Sequence, residues 1–231
     1  MLFLRIQFQI CLMQTDSAIL MSTAYLPPIE YVAILINNTN VIIEIEESYP
    51  KQTFRNRCKI LSANGIINLS IPVKKPYGNN TKTKDIRIIN SNQWFTNHWR
   101  AISSAYSNSP FFIYYKDEFQ KFYIGNYDSL LDFNTELTNN ILSLAGINCK
   151  IQYSDSFTLP NAFTEFSNMH NQQTTDFRYS ITPKKEIEGK SFKEYTQVFS
   201  TKFSFKPNLS IIDLLFNLGP ETKDYLKSIQ L

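Results

Sequence analysis

Long apolar runs are missing from this 231-residue chain. No stretch reaches the roughly 18 apolar residues that a membrane-crossing helix requires, so a membrane span is excluded on length. Cysteine and histidine are scarce. Cys11, Cys58 and Cys149 are odd in number and widely spaced, with no CxxC pair, and His98 and His170 are the two histidines. That set argues against a disulfide framework and against a metal site, and it fits a reducing, cytoplasmic setting. Charge of one sign is lacking too: 23 basic residues against 20 acidic ones leave a net +3, far from the basic balance of a nucleic-acid binder. The loops GxxxxGK[ST], GxGxxG and GxSxG are absent. Phosphate-cradling NTPase, common dinucleotide-binding and α/β-hydrolase readings therefore lack their signatures, and no motif names a cofactor, which stays unknown.

What is present is material for a core. Hydrophobic residues make up 43% of the chain and aromatic ones 14%, enough for one large domain or a domain with an appendage. The start, MLFLRIQFQICLM, resembles a signal peptide, but Arg5, Gln7 and Gln9 interrupt it and no small-residue cleavage site follows. Residues 1–17 are expected to be an extension, either a strand by their alternation or a stretch upstream of a start at Met13 or Met21.

AILMSTA (18–24) reads as a buried strand, PPIEYVAILINN as a helix opened by prolines, and VIIEIEE (41–47) as a second strand. Strand, helix and strand within about 30 residues form a βαβ unit with parallel strands. The turn YLPP (25–28) then lies at the carboxyl end of the first strand, where open α/β sheets bind ligands. INLSIPV (67–73) and IRII (86–89) are further strand candidates, and KKPYGNNTKTKD (74–85) reads as a polar loop. From 92 to 146 the period turns helical: Trp94, His98, Ile102 and Ala105 share one stripe, and Gly146 closes the last helix. IQY (151–153) suits a strand. Residues 154–175 are polar and irregular, and LSIIDLLFNLGPE (209–221) reads as a terminal helix with Ser210 and Asp213 at capping-box spacing. The expected organisation is an extension (1–17), an α/β core with a helical half (18–153), an irregular connection (154–190) and a carboxyl-terminal segment docking on the core (191–231). The fold class is α/β: a mixed, mainly parallel sheet with a Rossmann-like βαβ start and a helical carboxyl-terminal half packed on it.

KQTFRNRCKI (51–60) carries an unusual density of charge. As a strand it puts Lys51, Thr53, Arg55, Arg57 and Lys59 on one face and Gln52, Phe54, Asn56, Cys58 and Ile60 on the other. Two readings stand. Glu44 and Glu46 on the preceding strand offer cross-strand ion pairs. Alternatively, the planar forks of Arg55 and Arg57 grip a carboxylate or phosphate while Gln52 and Asn56 orient it. Cys58 beside arginines is either a packed thiol or a nucleophile of lowered pKa. His98 is either a core histidine or a general base. Glu30 either complements the helix dipole or acts as an acid or base. Asp176 and Arg178 bracket Phe177 as a lid or a clasp; His170 reads as a surface residue and Asp213 as a cap.

YLPPIEY (25–31), KQTFRNRCKI, NHWRAISSAYSNSPFFIYY (97–115), DFRYSITPK (176–184) and FKPNLSIIDLLFNLGPE (205–221), in this order, resemble the WbqC-like family of bacterial proteins. The resemblance implies a cytoplasmic role in O-antigen and other surface-polysaccharide synthesis, as a transferase that attaches a small acyl or aminoacyl group, glycine being the suggested one, to a sugar or nucleotide sugar. Many relatives carry a glutamine before the proline turn, where this chain reads STAYLPP; no role of that glutamine carries over. In this reading the partner is an anionic small molecule, a nucleotide sugar or acyl donor, with no nucleic acid. Gln52, Arg55, Asn56, Arg57, Tyr25, Asp176 and Arg178 are the substrate-binding candidates, and His98 and Glu30 the catalytic ones. A non-catalytic nucleotide-sugar or partner-binding module of the same pathway is the alternative, as is a degenerate nucleotidyltransferase-like protein, although HxGH is absent.

Overall fold

A computed structural model describes residues 18–159, 175–184 and 190–230. The readings of residues 1–17 and of His170, and part of those for 154–190, lie outside them.

The fold is α/β, as expected. β1 (Ala18–Ser22), α1 (Ile29–Ile36) and β2 (Asn40–Glu44) form the βαβ unit, with Ala18 paired to Asn40 and Ser22 to Glu44 in parallel register. Every residue of α1 from Ile29 to Leu35 is buried, because the helix lies against its neighbours on more than one side, as an all-round apolar sequence demands. Further along the chain, β7 (Lys150–Tyr153) adds to β2 and β8 (Thr175–Asp176) adds to the other side of β1, both parallel. The sheet order is β7-β2-β1-β8. Strand order therefore reverses between β1 and β8, and the carboxyl edge at that point is where such sheets hold ligands.

Two antiparallel pairs stand apart from this sheet: the hairpin β3 (Arg57–Ser62) with β4 (Gly65–Ser70), and the short pair β5 (Val73–Lys74) with β6 (Arg87–Ile88). KQTFRNRCKI is thus a strand only from Arg57. Residues 51–56 form turns, with Gln52 in the left-handed region at φ 60°, so the expected division into two faces holds only for Arg57 and Lys59 against buried Cys58 and Ile60. VIIEIEE also ends earlier as a strand, at Glu44.

The helical half comprises α2 (Trp94–Tyr106), α3 (Phe112–Gln120), α4 (Leu130–Leu144), α5 (Ile211–Leu218) and α6 (Thr222–Ser228). The stripe Trp94, His98, Ile102 and Ala105 is buried, and α2 packs on β3. Ser129 caps α4 by accepting the Asp132 N–H at 3.2 Å, and Gly146, at φ 63°, ends the turn that follows. Gly219, between α5 and α6, has no substitute: at φ 54° a Cβ would stand 2.4 Å from Cδ1 of Phe111.

Ser210 precedes α5 but makes no side-chain cap bond, so the capping box does not form. Asp213 instead points inward and accepts from the hydroxyls of Tyr106 (3.0 Å) and Tyr195 (2.5 Å) and from Gln197 Nε2 (3.0 Å). Burial pushes its carboxyl up against the pull of these donors. It ties the carboxyl-terminal segment to α2.

Candidate functional site

Beyond β1 the chain crosses the carboxyl edge of the sheet as Thr23–Pro28, and the Tyr25 N–H donates to the carbonyl of Phe54 at 2.9 Å. That bond brings the RNR stretch to the edge. Tyr25 is fully buried, its hydroxyl 2.9 Å from His98 Nδ1 and 2.8 Å from the Tyr123 hydroxyl. The backbone of Ser70 favours the protonated ring, but burial outweighs it and lowers the His98 pKa to about 4, so the ring is neutral. With its single proton on Nε2, Nδ1 accepts from Tyr25, whose oxygen then accepts from Tyr123. Tyr25 stacks on the imidazole and Trp94 meets it edge-on. The ring is held inside an aromatic wall.

Next to this wall lies a buried ionic layer. Arg55, 2% exposed, gives Glu47 Oε1 two bonds, from Nε at 2.9 Å and from its terminal nitrogen at 2.5 Å. The other oxygen of Glu47 accepts from the Tyr179 hydroxyl at 3.1 Å. Arg178, equally buried, forks onto Asp176 at 2.7–3.1 Å, reaches Glu44 at 3.2 Å and donates to the carbonyl of Thr158 at 2.8 Å. Its guanidinium faces the rings of Phe157 and Tyr179. Glu44 is completed by the Ser154 hydroxyl at 2.7 Å. The loops after β1, β2, β7 and β8 are thereby cross-linked at the edge, and Asn134 of α4 joins them by donating to Thr23 Oγ1 and to the carbonyl of Arg55.

Arg55, Asp176 and Arg178 therefore meet in one place, through Glu44, Glu47 and Tyr179; sequence reasoning singled out Glu44 only as a partner for the 51–60 cations, and Glu47 and Tyr179 not at all. Arg57 follows at the start of β3, half-buried, with its Nε out of solvent and without a partner. The others are placed elsewhere or otherwise engaged. Asn56 donates to the carbonyl of Ile71 at 2.8 Å and accepts the Ile71 N–H on its own carbonyl. Gln52 is exposed. Glu30, at the start of α1, is held by Lys190 and by Asn208 Nδ2. Cys58 is buried, and burial pushes its thiol up rather than down, which favours the packed thiol over the nucleophile of lowered pKa. The carboxylates of VIIEIEE do not pair with β3: Glu44 takes Arg178, and Glu46 takes Lys82 at 2.6 Å and Lys84 at 2.5 Å. Among the described residues, no group of three or more His, Cys, Asp or Glu could hold a metal ion, and no helix is long and apolar enough to cross a membrane.

The WbqC-like protein family matches residues 23–190 and 186–225. The chain belongs to this family. All the residues of the buried layer fall within the matched segments. An uncharacterized protein of Mycobacterium tuberculosis is 27% identical over 221 residues, covering 88% of this chain and 94% of that protein. No solved structure matches.

Proposed function

We propose that this WbqC-like protein is a transferase of bacterial surface-polysaccharide synthesis of the O-antigen type, attaching a small acyl or aminoacyl group such as glycine to a sugar or nucleotide sugar. The observation that carries the reading is Arg57: a cation without a carboxylate partner among the described residues, its Nε out of solvent and unpaired, two residues from the Arg55 that closes the buried ionic layer. A guanidinium so placed suits a phosphate or carboxylate. In this scheme Arg57 anchors the anion and Gln52, exposed nearby in the chain, lies at the rim. Arg55, Asn56, Tyr25, Asp176 and Arg178 position the loops around it, and Glu30, at the first turn of α1, is the carboxylate for proton transfer.

A second reading, a binding module of the same pathway without chemistry, is favoured by His98, whose buried neutral ring sits inside the wall with Nδ1 taken by Tyr25. Deleting the gene and weighing the released polysaccharide by mass spectrometry separates the two. A transferase leaves chains of normal length that lack one small acyl substituent. A binding module leaves fewer or shorter chains with the substituent retained, and unaltered polysaccharide rules out both.

A further inference from the structure

Seven buried side-chain polar atoms lack a hydrogen-bond partner among the described residues, and three of them, Tyr49 Oη, Arg57 Nε and Thr83 Oγ1, sit on segments that Tyr49 links: Arg57 lies within electrostatic reach of its phenol, and Thr83 is on the segment paired beside it. The backbone places two of these together. Ser48 and Lys82 form an antiparallel bridge, with the Tyr49 N–H donating to Thr81 and the Thr83 N–H to Glu47, both at 2.9 Å. Alternation then sends Glu47, Tyr49, Thr81 and Thr83 to one face, with Thr83 opposite Glu47 and Tyr49 its diagonal neighbour. Glu47 is consumed by Arg55 and Tyr179. Tyr49 is 5% exposed and Thr83 1%, yet their hydroxyls hold nothing. The Tyr49 phenol lies within the field of both Arg55 and Arg57, although burial outweighs them and raises its pKa.

The charge around these groups is uncompensated. Lys75 Nζ donates to the carbonyl of Tyr49 at 2.8 Å and stands 5.1 Å from the centre of its ring. Burial and the neighbouring Lys51 ammonium both lower the pKa of Lys75. Among the described residues neither lysine nor Arg57 has a carboxylate in ion-pair contact, whereas Lys82 and Lys84, on the same segment as Thr83, share Glu46. A bound water would answer the unmet hydroxyls but would not neutralise the half-buried Arg57 guanidinium, whose Nε is out of solvent.

We propose that Arg57, Tyr49 and Thr83 form a seat for a phosphoryl group of a small molecule, with Lys75 and Lys51 supplying the surrounding positive charge. The guanidinium Nε–H and the two hydroxyls all donate, and a tetrahedral phosphoryl group can accept from several directions where a planar carboxylate accepts in one plane. This deepens the functional reading above and depends on it only for the place where the substrate lies.

The test is calorimetric titration of the full-length protein with inorganic phosphate, and separately with uridine diphosphate and with acetate. Saturable binding of phosphate or the nucleotide is expected, with acetate at least about tenfold weaker. Arg57→Met should weaken phosphate binding at least about tenfold and Tyr49→Phe several-fold, both variants being checked for a native circular-dichroism spectrum. Arg57→Lys, which keeps the charge and loses Nε–H, should fall between Arg57→Met and wild type. The seat is overturned if the wild-type protein binds no phosphoryl probe, if acetate binds as well as phosphate, or if Arg57→Lys or Tyr49→Phe binds like wild type. Failure here with an acyl-deficient polysaccharide in the deletion strain removes the seat alone. Phosphate binding with an unaltered polysaccharide removes the functional reading alone.

Discussion

Arg55 and Arg57 stand two residues apart in the word RNR and meet opposite surroundings. Arg55 enters the interior and finds Glu47, whose second oxygen is taken by Tyr179, so each charge is answered by an opposite one in protein. Arg57 opens β3 with its Nε out of water and unpaired, within electrostatic reach of Tyr49, whose hydroxyl is unmet like that of Thr83 and whose carbonyl takes Lys75. The first arrangement is complete in the free protein, and removing either partner would strand a buried charge. The second is incomplete, and a protein that leaves a guanidinium nitrogen and two hydroxyls out of water with no partner carries an unfavourable term of about 1–3 kcal/mol for each. Stability alone gives no reason to keep such a corner. A ligand does, because binding supplies the missing acceptors.

Substitutions along RNR break or sharpen this contrast. Arg55→Ala should have the largest effect: it leaves Glu47 charged and buried, and such a loss costs about 3–5 kcal/mol, read as a lower urea midpoint. A loss below about 1 kcal/mol would mean that the interior pair is wet and that the two arginines are not different in kind. Asn56→Ala should cost about 1 kcal/mol, since it deletes one bond to the Ile71 carbonyl and leaves the backbone bond between the two residues in place. If Asn56→Ala instead abolished ligand binding at unchanged stability, Asn56 would belong with Arg57 rather than with the frame.

How far these fates could be read in advance differs from segment to segment. AILMS and NVIIE are short, mostly apolar runs around a helix that is apolar but for Glu30 in its first turn, and local pattern alone suffices to make them the parallel centre of the sheet. The stripe from Trp94 to Ala105 is legible for the same reason: burial on one face leaves a 3.6-residue period. Residues 51–56 imitate a strand because Phe54 and Cys58 both fall on buried positions, but Phe54 is buried in a turn, held by the bond from Tyr25. The corner was not legible at all. Thr83 lies in KKPYGNNTKTKD, whose polar turn formers suggest a loose loop, and nothing local announces that Ser48 and Lys82 pair across 34 residues and bury Thr81 and Thr83. Glu47 as the partner of Arg55 was hidden likewise, because in a strand running to residue 47 it falls on the face opposite Glu44 and Glu46, whereas the strand ends at Glu44.

Arg57→Met should give the smallest loss of stability and is the sharpest test of the contrast. The substitution keeps an apolar stem of similar reach and so preserves the packing that an alanine would lose. It removes a donor that has no acceptor and a cation that repels Lys51 and Lys75 rather than pairing with a carboxylate. With no bond broken and an unmet donor removed, the ligand-free protein should unfold no earlier than wild type, and later by up to about 1–3 kcal/mol. Phosphate in the buffer should then separate the two proteins. It should raise the wild-type midpoint by linkage, as any ligand of the folded state does, and leave the variant where it was. A ligand-free loss of about 2 kcal/mol or more would mean that Arg57 has a protein or water partner that holds the fold, and the difference between the two arginines would then be one of degree.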